Sequence, residues 1–122
     1  MTGKRILIVE DEYFIASDLK RALGDQDAVV LGPVGSLDAG LAAVAAAEPI
    51  DLAVLDVNLD GAESYPIADR LAELGVPFMF VTGYDDWAMP RAYRDTPRLA
   101  KPFPPGAVVR AIERLVAAPE KQ

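Results

Sequence analysis

Five short apolar runs, each closed by a polar or turn-forming residue, alternate with stretches whose apolar residues recur every three or four positions. The runs are RILIVED (5–11), AVVLGPV (28–34), DLAVLDV (51–57), PFMFVTG (77–83) and the poorer PRLAKPF (97–103). Between them, Ile15, Leu19, Ala22 and Leu23 share a helical face, as do Leu37, Leu41, Val44 and Ala45, then Ile67, Leu71 and Leu74, and finally Val108, Ile112, Leu115 and Val116. Gly24, Pro49 and Gly75 fall where helices should stop, and Pro104-Pro105 where the last should begin. Only residues 85–95 lack a clear period, with Pro90 interrupting, and they predict a short or irregular helix. Strands that are apolar on both faces belong in a parallel sheet covered on both sides. The pattern therefore predicts an α/β fold, a doubly wound (βα)5 unit with five parallel strands. Right-handed crossovers make 2-1-3-4-5 the expected strand order.

The residues that break the apolar pattern all fall at the carboxyl ends of these strands, where an open parallel sheet binds its ligands. The first run ends in Glu10-Asp11-Glu12, the third in Asp56, the fourth in Thr82-Gly83 and the fifth in Lys101-Pro102. Each has an ordinary structural explanation. Asp11 is well placed to cap the first helix. Asp56 could open a loop, Thr82 end a strand on a β-branched residue, and Lys101 be a solvated surface charge. Taken together they are harder to explain that way, because acids gathered at one rim repel one another unless a cation sits among them. An all-oxygen ligand set favours a hard cation, most naturally Mg2+. A cation beside a hydroxyl and an amine is equipment for holding a phosphoryl group.

Composition narrows the chemistry further. The 122 residues suit a single domain, 1–122, with enough apolar character for a real core. Cysteine and histidine are both absent, which removes disulfides, thiolate and imidazole metal sites, and Ser-His or Cys-His catalysis. The net charge of −7 argues against a nucleic-acid partner. No apolar run is long enough to span a membrane, and the N-terminus does not read as a signal peptide, so a cytoplasmic location is expected.

The ordered set "ILIVEDE", "AVLDVNLDG", "FVTGYDD" and "LAKPF" resembles the response-regulator receiver domain of two-component signalling over essentially the whole chain. The resemblance implies a flavodoxin/CheY-like fold and assigns roles. Asp56 would accept the phosphoryl group. Glu10, Asp11, Asp56 and the Asn58 backbone carbonyl would hold Mg2+. Thr82, the Gly83 backbone N–H and Lys101 would bind the phosphoryl oxygens. It also makes the peptide bond before Pro102 a candidate for the cis form. The implied partners are a sensor histidine kinase or a histidine phosphotransfer protein, together with a downstream protein effector, since no output domain is expected. Such a protein is not an enzyme in the ordinary sense; it catalyses only its own phosphorylation and dephosphorylation.

Within that family, "PFMFVTGYDDWAMPRAYRDTPRLAKPF" resembles the stand-alone FATGUY type, with Val81 in place of alanine. That subgroup pairs generally with kinases of the HWE or related classes. Arg98 stands where most receivers carry a switching aromatic, and a guanidinium does not readily enter an apolar pocket. Tyr84, two residues after Thr82, is then a switch candidate beside Arg98, with simple packing as the competing reading; Trp87 is open between a partner surface and packing. Two other functions are weighed. A receiver fold used as a phosphorylation-independent adaptor would not need the full acidic rim. A small haloacid-dehalogenase-type phosphatase would need a second aspartate where Asn58 stands, and its nucleophile on the first strand.

Overall fold

A computed structural model of the chain describes residues 1–46, 48–83 and 89–117. Its elements run β1 (Arg5–Val9), α1 (Tyr13–Gly24), β2 (Val29–Val34), α2 (Leu37–Ala45), β3 (Leu52–Asp56), β4 (Asn58–Leu59), β5 (Ala62–Glu63), α3 (Tyr65–Glu73), β6 (Phe78–Thr82), a 3-10 turn (Arg91–Tyr93), β7 (Arg98–Ala100) and α4 (Pro105–Ala117). Five strands form a parallel sheet in the order β2-β1-β3-β6-β7, which is 2-1-3-4-5 when the sheet strands alone are counted. The expected strand order is therefore observed.

Strand alternation divides the core into two layers. Leu7, Val9, Ala53, Leu55 and Phe80 pack on one face with Ile67 and Leu71 of α3 and Val44 of α2. Ile6, Ile8, Leu52, Val54, Met79 and Val81 pack on the other with Leu19 and Leu23 of α1 and Val108 and Ile112 of α4. β1, β3 and β6 are consequently buried almost throughout, which is why their sequences read as continuous apolar runs. The edge strand β2 is only partly buried and carries Pro33. Proline is tolerated there because an edge has one side with no ladder to complete.

Several details differ from the sequence reading. The described residues hold four α-helices, and between β6 and β7 the short irregular helix expected within 85–95 is one 3-10 turn, Arg91–Tyr93. Pro90 removes a helix donor in that segment, and no apolar period favours a longer helix. The fifth strand is shorter than expected, Arg98–Ala100 instead of 97–103, because prolines bound it closely on both sides. Asp11 does not cap α1. The N-cap is Glu12, whose side chain makes no capping bond. Chain direction after β1 places the third acid, not the second, at the helix start. A small hairpin, β4-β5, was not anticipated. Asp60 (φ 51°) and Gly61 (φ 92°) form its two-residue turn, and Asn58 Oδ1 accepts from the Gly61 N–H at 2.8 Å. Two X-Pro bonds are cis, Gly32–Pro33 and Lys101–Pro102.

Candidate functional site

Register and alternation bring the polar strand ends together. Val9 lies beside Leu55, Asp56 beside Val81, and Thr82 beside Ala100. Glu10 continues the phase of Ile6 and Ile8, and Asp56 that of Leu52 and Val54. Lys101 continues that of Leu99. All three therefore start from the face covered by α1 and α4. The backbone of this rim is tied across strands, with the Lys101 N–H donating to the Thr82 carbonyl at 2.7 Å and the Val57 N–H to the Val81 carbonyl at 3.0 Å.

Glu10, Asp56 and Thr82 are buried polar residues at this end of the sheet. The Lys101 ammonium reaches in and donates to Glu10 Oε2 at 3.1 Å, to Asp56 Oδ2 at 3.0 Å and to Glu12 Oε1. The other Asp56 oxygen, Oδ1, accepts from the Asn58 N–H at 3.2 Å. Glu10 Oε2 also accepts from the Glu12 N–H at 3.0 Å. Burial, and then the neighbouring Asp56 carboxylate, push the Glu10 carboxyl up to about 8. Burial alone would lower the pKa of the Lys101 ammonium, but the carboxylates of Glu12, Asp56 and Glu10 outweigh it and hold the group charged well above the ordinary lysine range.

Carboxylate oxygens of Glu10, Asp11, Glu12 and Asp56 all lie within 4.8 Å of one another. Clustered acids alone say little about a metal. Here, however, Glu10 Oε1 is buried with no hydrogen-bond partner among the described residues, an orphaned acceptor beside Asp56. Four oxygen donors and one unmet buried lone pair fit a hard divalent cation such as Mg2+.

The structure thus brings together Glu10, Asp11, Asp56 and Lys101, with Asn58 joined to Asp56 through its N–H. Thr82 and exposed Gly83 stand at the adjoining end of β6. Arg98 is half-buried and its guanidinium donates to the Arg94 carbonyl, so it does not reach the rim. Tyr84 and Trp87 lie outside the described residues. Glu12 is a rim residue whose contact with Lys101 the sequence reading did not assign. The arithmetic could have found it, since an ammonium has three donors and the run supplies a third acid. A second unassigned feature is a cluster of four rings. Tyr93 stacks on Tyr65 (centroids 5.7 Å apart, planes at 11°) and meets Phe78 and Phe80 edge-on. Its hydroxyl donates to Asp69 on α3. Burial, and then that bond, raise its pKa. Tyr93 lies in the stretch without a helical period, which is why nothing in the sequence marked it.

Comparison with known proteins places these features in context. Residues 6–113 match the response regulator receiver domain family. Over 88 residues the chain is 30% identical to an uncharacterized transcriptional regulatory protein of Bacillus subtilis (strain 168), YbdJ, covering 70% of this chain and 38% of that protein. The chain thus spans well under half the length of that relative. The solution structure of SdrG from Sphingomonas melonis Fr1 is similar at 40% identity and a TM-score of 0.82, covering 94% of this chain and 98% of that one. The BeF3-activated conformation of SdrG, from Pseudomonas melonis Fr1, is similar at 40% identity and a TM-score of 0.78, covering 96% and 100%. A matching family model across most of the chain, a five-stranded sheet in the 2-1-3-4-5 order and an acidic rim with its lysine lead to one conclusion: the chain belongs to the response regulator receiver domain family.

Proposed function

We propose that this protein acts as a phosphoacceptor in a two-component relay, with Asp56 as the acceptor. The observation that carries this reading is the setting of Asp56: a buried carboxylate at a strand end, 3.0 Å from the Lys101 ammonium, beside a buried carboxylate oxygen of Glu10 that has no partner among the described residues. A carboxylate is a weak nucleophile toward phosphorus that already carries negative oxygens, so the site must offset charge repulsion and fix direction. The Asn58 N–H and Lys101 hold the two oxygens of Asp56 in place. In the transfer, an Asp56 oxygen forms the new P–O bond as the P–N bond of a phosphohistidine breaks, and the imidazole leaves with the bonding pair. Lys101, the Thr82 hydroxyl and the Gly83 N–H would receive the phosphoryl oxygens.

Glu10, Asp11, Asp56 and the Asn58 carbonyl are the residues that would hold Mg2+. When bound, the cation would supply positive charge between the acidic rim and the phosphoryl oxygens. The donor is a sensor histidine kinase, of the HWE or a related class, or a histidine phosphotransfer protein; the output is a contact with a protein effector in the cytoplasm. We read it as a regulator of the stand-alone FATGUY type, whose pattern residues 77–103 resemble. The only reactions it catalyses are its own phosphorylation and dephosphorylation. The test is phosphotransfer from a radiolabelled phosphohistidine donor. Label should appear on the wild type, resist acid better than base as an acyl phosphate does, and be absent from Asp56→Asn. Label retained by that variant would overturn the assignment.

A further inference from the structure

We infer that Glu12 is a positioning residue that occupies Lys101 in the unphosphorylated protein, standing where a phosphoryl oxygen must later bond. The inference rests on Asp56 being the phosphoacceptor.

An ammonium has three N–H donors and no more. Here each is matched by a carboxylate, from Glu10, Glu12 and Asp56. Lys101 therefore has no donor left for an incoming group, and one of the three bonds must be given up when Asp56 carries a phosphoryl group. Exposure decides which. The Glu10 side chain is 0% exposed and that of Asp56 5%, whereas that of Glu12 is 58% exposed. A buried carboxylate that loses its cation is left uncompensated, while an exposed one is simply rehydrated. Glu12 is thus the partner that Lys101 can release at least cost.

The position of Glu12 supports the same assignment. It is the N-cap of α1 with extended backbone (φ −85°, ψ 115°), where a short polar side chain would normally fold back onto the helix N–H groups. Its side chain makes no such bond and turns to Lys101 instead. Its own N–H is taken by Glu10 Oε2. The residue forgoes the local role its place invites in favour of the lysine of the site. Glu12 therefore keeps the ammonium aimed at Asp56 before phosphorylation, and competes with the phosphoryl group for it afterwards.

Two measurements test this on the full chain in saturating MgCl2. In the first, beryllium fluoride is titrated into wild type and Glu12→Gln, followed by amide NMR shifts. Removing an exposed ion pair should tighten binding by roughly two- to fivefold. In the second, the side-chain carboxyl 13Cδ shift of Glu12 is followed in the wild type. On adding beryllium fluoride it should move to the value it has in Lys101→Ala without beryllium fluoride. A Glu12 carboxyl shift that stays in place on binding overturns the inference whatever the affinities, as does unchanged or weaker binding by Glu12→Gln. Failure of the wild type itself to bind, seen as an unmoved Asp56 amide, would instead remove the phosphoacceptor reading on which the inference stands.

Discussion

Replacing Asp56 with asparagine should make the cation-free protein more stable. Asp56 sits between two opposing terms of similar reach: attraction to Lys101 at 3.0 Å and repulsion from the neighbouring Glu10 carboxyl, which burial and Asp56 together push up to about 8. These charge terms largely offset each other, and what remains is the cost of keeping a carboxylate that is 3% exposed out of water. An asparagine keeps the shape and can still accept the Asn58 N–H through its carbonyl. Lys101 retains Glu10 and Glu12. The expected gain is about 1–2 kcal/mol, which for a domain of this size raises Tm by roughly 3–8 °C. Thermal unfolding followed by circular dichroism at pH 9 in EDTA, where Glu10 is ionised, measures it directly. Adding MgCl2 should then reverse the ranking. A cation at a hundred times its Kd would add about 2.7 kcal/mol to the wild type and much less to the variant, which has lost a ligand charge. A lower Tm for Asp56→Asn in EDTA would refute the reasoning, because it would mean that the rim is held together by Asp56 and is not strained by it.

Three further outcomes follow from the packing and the surface. Tyr93→Phe removes the hydroxyl that donates to Asp69 but keeps the ring against Tyr65, Phe78 and Phe80, so urea unfolding should show a loss of about 1–2 kcal/mol with an unchanged m-value. In buried Gly40 of α2 an added Cβ would stand 2.4 Å from Ile67 Cδ1 and 3.3 Å from Ile67 Cγ1. Gly40→Ala should therefore cost about 1–2 kcal/mol despite its better helix propensity, and adding Ile67→Val, which deletes that Cδ1, should recover part of the loss; additive losses would count against the contact. Tyr13 and Phe14 form an edge-on ring pair at the start of α1, 75% and 79% exposed, directly after Glu12. Changing both to serine should slow phosphotransfer from a protein donor at least tenfold while leaving phosphorylation by acetyl phosphate within about twofold, since only a protein partner can bury these rings.

The sheet was legible because its three central strands are buried on both faces, and burial on both faces leaves an unbroken apolar run such as ILIV or LAVL. The rim was legible for the converse reason: Glu10, Asp56 and Lys101 interrupt those runs at the ends where the strands emerge together. What the sequence could not show depends on distances between side chains. Glu12 reads as one more surface acid until the reach of Lys101 is known. Asp11 suited the helix start, and one residue of chain direction gave the N-cap to Glu12 instead. Tyr93 has no periodic neighbours, and its burial is fixed by rings contributed from β6 and α3. The β4-β5 hairpin carries an Asp-Gly pair, a fair turn signal, but its two-residue strands are too short to leave any alternation.

The ring cluster bears on how the rim could communicate with the rest of the fold where no aromatic stands at position 98. Along β6, Phe78, Phe80 and Thr82 share one face, because side chains two apart in a strand do so. Phe80 touches Tyr93 and Tyr65, and Tyr93 is bonded to α3 through Asp69. The Thr82 end of β6 is therefore in line with a closed aromatic layer that joins the strand, the 3-10 turn and α3. Arg98 closes the same region from β7 by holding the Arg94 carbonyl one residue past that turn. Close-packed rings yield by shifting as a set, since a gap of even half an ångström forfeits much of their contact energy. A displacement of Thr82 toward a phosphoryl group on Asp56 would thus be felt at Tyr93 and Asp69 through Phe80, with no need for a side chain at position 98 to change rotamer. Tyr93→Phe separates the two contributions: it frees α3 from the turn while leaving the ring layer in place.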